Sequence, residues 1–248
     1  MSLEPYTSER QAELISNYNR VLGDVQTTER ARPQSLTHPV RLLAVSKLKP
    51  ASDIQALYDH GVRDFGENYV QEMIAKAAVL PKDIRWHFIG GLQTNKCKDL
   101  ATNIENLYAV QTIDSLKKAK KLNDTREGHG PKINVFLQIN TSREEQKSGI
   151  LPEAKDEIKA IVEYLSKDAT NVQLAGLMTI GSFEKSHSTG ENPEFKTLFD
   201  LKTEIDNEFG TKLELSMGMS ADYIEAINQG TSYVRVGTDI FGSRPPKK

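Results

Sequence analysis

Three groups of residues in this chain have the types and spacing to do chemistry together. The first is Lys47, which directly follows the apolar run 40–46. An amine at the end of a buried strand is partly desolvated, holds its proton less firmly and becomes nucleophilic toward carbonyls. Lys49 lies two residues on and is the competing candidate, but it abuts Pro50 at a helix entry. The second group is a pair of small-residue turns, Ser216-Met217-Gly218 with Ser220, and Gly237-Thr238-Asp239. Small side chains let backbone N–H groups approach a ligand, hydroxyls donate, and a following helix favours an anion. A phosphate group is the natural occupant, with ordinary tight turns as the alternative. The third is Arg235, within the run 233–237. Period-two alternation puts Tyr233, Arg235 and Gly237 on one face and Val234 and Val236 on the other. A buried guanidinium must be paired or hydrogen-bonded. Its partner could be the ring nitrogen of a pyridine cofactor, or else Glu67 or Glu214. Lysine and phosphate turns together suggest an aldehyde phosphate held as a Schiff base.

These residues need a scaffold that brings distant segments to one place. Short apolar runs at 40–46, 62–66, 86–90, 107–112, 133–140, 174–180, 213–217 and 233–237 alternate with amphipathic stretches. Helices are predicted near 50–60, 68–79, 93–101, 114–124, 152–167, 192–209 and 220–229, with a further one at 8–30 ahead of the first strand. Near-continuous apolar strands separated by helices are the mark of a parallel sheet. Eight βα repeats in a chain of this length predict an α/β fold, a (β/α)8 TIM barrel, with an open doubly wound sheet as the rival. The expected organisation is one domain over 1–248, with an extra N-terminal helix at about 8–30 and the barrel at about 40–246. The stretch 182–193 reads as a long polar loop.

Barrel sites gather at the C-terminal ends of strands. That rule adds Asn68, His87 and Met178 to the candidates. His87 alternates with Trp86 and Phe88 and suits either the mouth or the core. Met178 suits either a ring face or the core. Cys97 stands between Lys96 and Lys98, whose charges should lower its pKa slightly.

Composition excludes several classes. The 248 residues are 38% hydrophobic and 27% charged, with a net charge of −2, which does not suit a basic nucleic-acid binder. The single cysteine, Cys97, permits neither an internal disulfide nor a cysteine metal site, so no metal is expected. No apolar run approaches membrane-spanning length, and the first ten residues lack the apolar stretch of a secretory signal. A cytoplasmic location follows, with the mitochondrion as a second compartment.

Several long motifs, in order, carry a resemblance. LAVSKLKP (43–50), FGENYVQE (65–72), WHFIGGLQTNK (86–96), GLMTI (176–180), LSMGMSA (215–221) and VRVGTDIFG (234–242) resemble the pyridoxal phosphate homeostasis proteins. That family is also called the proline-synthase co-transcribed family. The match runs from about residue 8 to 246. The resemblance implies a single barrel similar to the N-terminal domain of alanine racemase. It implies pyridoxal 5′-phosphate on Lys47 as a Schiff base, its phosphate held by Ser216, Gly237 and Thr238. Arg235 would face the pyridine nitrogen and Asn68 would lie close to the ring. It further implies buffering of the cofactor and its supply to apo-enzymes, without robust catalysis. The chain ends at Lys248, so the racemase-type C-terminal domain is not expected, and a monomer is. An amino-acid racemase is the alternative, with Tyr69 or a partner chain's tyrosine as the opposed acid–base.

Overall fold

The computed structural model describes residues 2–243, so the last part of the barrel range, 244–246, lies outside the described residues. Eight parallel strands close into a barrel in sequence order, with the eighth paired to the first. They are β1 (Arg41–Val45), β2 (Asp64–Glu67), β3 (Arg85–Phe88), β4 (Leu107–Ile113), β5 (Ile133–Gln138), β6 (Val172–Met178), β7 (Glu214–Ser216) and β8 (Tyr233–Val236). The β1–β8 register runs from Arg41 opposite Tyr233 to Ala44 opposite Val236, which excludes the open sheet. The helices are α1 (Ser8–Ala31), α2 (Ala51–Asp59), α3 (Val70–Val79), α4 (Cys97–Asn103), α5 (Leu116–Arg126), α6 (Lys155–Lys167), α7 (Phe183–Ser186), α8 (Pro193–Phe209), α9 (Tyr223–Asn228) and α10 (Thr238–Phe241).

Burial on both faces explains why the strands read as unbroken apolar runs. Leu42, Ala44, Phe65, Trp86, Val135, Leu215, Val234 and Val236 belong to the large apolar cluster shared with the helices. Smaller groups, Leu43 with Val45 and Ile89, and Ala109 with Phe136, Met178 and Tyr233, are separate from it and fill the barrel interior. The N-terminal end of the barrel is closed by polar pairs. Arg85 grips Asp64 with two bonds of 2.9 and 2.6 Å, Arg41 meets Glu214 at 2.9 Å, and the Arg41 guanidinium lies 4.8 Å from the Tyr233 ring centre. The cylinder is therefore a packed core, and a barrel of this kind presents its site at the C-terminal end.

The N-terminal helix braces the segment after β8. Thr7 caps α1 by accepting from the Arg10 N–H, and Leu14, Val21 and Val25 are fully buried. Along and beside the same stripe Arg10 donates to Asp53 and to the Phe241 carbonyl, Asn17 to the Ile240 carbonyl and Arg20 to the Asp239 carbonyl. These donors satisfy carbonyls at the end of α10 that have no partner within so short a helix. The helix thus fixes the turn that carries Thr238.

Most elements shift by one to three residues from expectation, and two of the departures bear on the site. β7 stops at Ser216 because Gly218 turns the chain at φ +96°, where an added Cβ would lie 2.5 Å from the Ala226 Cβ. β6 ends at Met178, and the 182–193 stretch contains α7, whose cap Ser182 accepts from the Lys185 N–H.

Candidate functional site at the barrel mouth

The chain leaves β1 through a strained turn built around Lys47. Leu48 sits at φ +61°, a left-handed conformation that costs a branched residue about 1 kcal/mol or more and persists only where surroundings enforce it. The enforcing groups come from β2 and α3. Lys76 donates to the Ser46 carbonyl at 2.9 Å and to Glu67 and Glu72 at 2.6 Å each. Glu67 also accepts from the Ser46 hydroxyl at 2.7 Å, and Glu72 from the Leu48 N–H at 2.7 Å. Both neighbours of Lys47 are thereby clamped by one buried charge cluster. Burial pushes the Glu67 carboxyl up to about 7, against the pull of the adjacent Lys76. Lys76 and Glu72 were not singled out from sequence. The signal was present in FGENYVQE, where two acids five residues apart straddle the start of a helix.

Around this turn lies a cavity of about 600 Å³. Lys47, Asn68, Met178, Arg235, Gly237 and Thr238 all line it, with Ser220 and the apolar walls Val45, Ile89 and Ile180. Lys49 lines it too, but its Nζ donates to the Ser243 carbonyl at 2.6 Å. Burial, and then the charge of Arg10, lower the Lys49 pKa. Asn68 is placed by a close backbone approach: a Cβ on Gly90 would stand 1.9 Å from the Asn68 carbonyl oxygen. Its side-chain Oδ1 is buried and has no partner among the described residues.

Arg235 faces the interior, as alternation predicted, and is 3% exposed. It pairs with neither Glu67 nor Glu214, which are taken by Lys76 and Arg41. Its Nη1 donates to the Ser216 hydroxyl and its Nη2 to the Thr179 carbonyl, both at 2.8 Å. Burial lowers its pKa to about 10, so it remains a cation at neutral pH.

Two expected members of the mouth lie elsewhere. Ser216 is fully buried beneath the cavity, its hydroxyl consumed by Arg235 and by Gln111, so that side chain is not available to a phosphate. Ser220, four residues on, lines the cavity instead. His87 points into the barrel centre, between Asp64 and Gln111 and against the rings of Tyr108 and Tyr233. Tyr69 is 53% exposed and does not line the cavity. The expected lowering of Cys97 is also reversed: it is wholly buried at the start of α4, and burial raises its thiol to about 11.

Comparison with known proteins fits this geometry. Residues 28–245 match the family described as alanine racemase, N-terminal domain. The pyridoxal phosphate homeostasis protein of Schizosaccharomyces pombe is 47% identical over 209 residues, 84% of this chain and 86% of that protein. The protein of the same name from Homo sapiens is 43% identical over 235 residues, 90% of this chain and 84% of that one. The chain belongs to the pyridoxal phosphate homeostasis protein family. Among solved structures, PipY of Synechococcus elongatus with pyridoxal phosphate bound superposes with a TM-score of 0.70 at 32% identity, covering 89% of this chain and 99% of that one. An alanine racemase of Clostridium difficile superposes with a TM-score of 0.68 at 17% identity, covering 95% of this chain and 60% of that one. At that identity it shows the shared barrel alone.

Proposed function

We propose that the chain binds pyridoxal 5′-phosphate in the barrel mouth through Lys47 and serves as a store of the cofactor, handing it to apo-enzymes rather than catalysing a robust reaction. The observation that carries this is the convergence on one cavity of an amine just after β1, a buried amide oxygen just after β2 without a partner among the described residues, and a buried guanidinium in β8. The residues fit the group. Lys47 meets the aldehyde, and its clamped turn keeps the amine at one place on the rim. Asn68, whose Oδ1 has no partner among the described residues, would lie close to the ring. Arg235 would face the ring nitrogen as a charged donor, an arrangement that favours the unprotonated ring. Gly237, Thr238 and Ser220 hold the phosphate, while Val45, Ile89 and Met178 supply apolar walls. When bound, pyridoxal phosphate supplies a carbonyl electrophile and an electron-withdrawing ring.

Restricted catalysis follows from what surrounds the amine. Among the described residues, no tyrosine, cysteine or carboxylate side chain lines the cavity, so a second acid–base is not provided by those types. A racemase reading rests instead on His187 and Lys147, which do line it. Lys147 donates to Glu144 and to the Gly181 carbonyl, and the His187 ring stacks on Phe183 at 4.0 Å; both are engaged in holding the rim. Incubation with L-alanine in deuterated water separates the readings, since a racemase exchanges the Cα proton at enzymic rates and a store does not. The barrel with its N-terminal helix acts as one cofactor-binding domain, working as a monomer in the cytoplasm. Among the described residues, no helix is long and apolar enough to cross a membrane. Titration of the purified protein with pyridoxal phosphate, followed in the visible region and repeated with Lys47→Ala and Lys49→Ala, tests the assignment. Only the first substitution should abolish the bound chromophore.

A further inference from the structure

Among the described residues the buried guanidinium of Arg235 makes no ion pair, the charge of Asp222 acting on it without a salt bridge, yet a chain of hydrogen bonds connects it to a carboxylate at the opposite end of the barrel. Arg235 Nη1 donates to Ser216 Oγ at 2.8 Å. Ser216 Oγ donates to Gln111 Oε1 at 2.6 Å. Gln111 Nε2 lies 3.2 Å from His87 Nδ1, and His87 Nε2 lies 3.1 Å from Asp64 Oδ1. Ser216, Gln111 and His87 are fully buried.

With His87 neutral, the two ends fix the direction of every link. A guanidinium only donates, so Ser216 must accept from it and spend its own proton on Gln111. Gln111 then presents its NH2 to His87, whose Nδ1 must be the acceptor. The histidine proton therefore sits on Nε2 and is given to Asp64. That carboxylate only accepts. Burial opposes its charge, but hydrogen bonds from Arg85 and His87 hold it well below the usual carboxylate range. Turning the Gln111 amide over would set its oxygen against His87 Nδ1. A neutral ring would then have to move its proton there and leave Nε2 bare against the carboxylate. With a neutral ring the chain has one consistent arrangement, running from a cation at the mouth to an anion at the floor.

We infer that Gln111 and His87 are positioning residues for the cofactor site, fixing the Arg235 guanidinium through Ser216 and tying its charge to Asp64 across the barrel. This rests on the reading that Arg235 meets the ring nitrogen of pyridoxal phosphate. The partners beside Arg235 are the neutral Thr179 carbonyl and Ser216 hydroxyl; a carboxylate in their place would neutralise the donor and compete with the ring. Placing the acid on the floor, three side chains away, holds the guanidinium in place and leaves its outward edge positive.

The test uses the full chain with pyridoxal phosphate as the probe, in wild type, Gln111→Leu and Asp64→Asn. Asp64→Asn can keep an acceptor for His87 and leaves the buried chain otherwise intact while it removes the distant charge and weakens the grip of Arg85 at the barrel floor, so it serves if Gln111→Leu fails to fold. Each variant is followed by circular dichroism, by the visible absorption band of the bound chromophore and its pH dependence, and by borohydride fixation at Lys47. The expected result is a folded protein still modified at Lys47, with a shifted band and binding weakened about tenfold, the size of one charge-assisted hydrogen bond. A purely structural role would change melting without moving the band. Folded variants with wild-type band, pH profile and affinity would overturn the inference. Should wild type itself take up no pyridoxal phosphate at Lys47, the underlying reading fails instead, and the two failures are told apart by that single control.

Discussion

Lys76→Met removes the cation on which the Lys47 turn is built. The methionine retains most of the apolar volume, so the loss is electrostatic. It strips hydrogen bonds from the Ser46 carbonyl, Glu67 and Glu72, and it leaves Glu67, 0% exposed, without a counter-ion. Breaking a buried pair by deleting one partner costs about 3–5 kcal/mol. The sign of the pH dependence is set by Glu67, whose ordinary carboxyl value is 4.5 and which burial lifts to about 7 in the folded protein. A carboxyl raised on folding favours the native state when protonated, so its contribution is full below about 4.5 and is lost as pH rises through about 7. Without Lys76 the folded value rises further, and the loss continues to higher pH. The gap between wild type and variant should therefore be steady below pH ~6 and widen above pH ~7 by about 1.4 kcal/mol per unit. Urea unfolding at pH ~6 and pH ~8.5 should show a gap about 2 kcal/mol larger at the higher value. Adding Glu67→Gln to the variant should remove that widening. A gap that does not change with pH would refute the clamp as a charge-stabilised device.

Other consequences are equally open to measurement. Gly90→Ala forces a Cβ to within 1.9 Å of the Asn68 carbonyl oxygen, so it should lower stability by about 3 kcal/mol in thermal melts and weaken cofactor uptake. Gly91→Ala, with nothing within 4 Å of the new Cβ, should behave as wild type, and equal effects at both positions would contradict the close approach. The Cys97 thiol, wholly buried and raised to about 11, should resist alkylation in the native protein at pH ~8 and react only after unfolding; rapid native labelling would show that it is reachable. Asp64, held low in the fold chiefly by Arg85 and His87 against the opposing effect of burial, adds stability above its ordinary value near 4 that is lost as pH falls. Asp64→Asn should flatten the acid limb of the stability curve, and an unchanged limb would count against its bonds to Arg85 and His87.

Much of the architecture was legible because a parallel barrel writes itself as short apolar runs separated by helices. Arg235 was placed correctly for a physical reason: alternation with Val234 and Val236 leaves its side chain only the interior. Lys47, Asn68, Met178, Gly237 and Thr238 were likewise found at strand ends, where a barrel must present them. His87 and Ser216 show where strand periodicity runs out. Alternation identifies an inward side chain but not its depth, and both lie below the mouth in a polar chain completed by Gln111, a residue with no local signature. The clamp was missed because Lys76 reads as a surface lysine on α3, and only the fold brings it within 2.9 Å of the Ser46 carbonyl. Cys97 was misread because neighbouring charges in sequence matter less than desolvation once α4 buries the thiol.

The most direct measurement is peptide mapping by mass spectrometry after borohydride reduction of the protein loaded with pyridoxal phosphate. A pyridoxyl mass on the peptide carrying Lys47, retained in Lys49→Ala and lost in Lys47→Ala, is the predicted result. A pyridoxyl group on another lysine, or full modification persisting in Lys47→Ala, would contradict it.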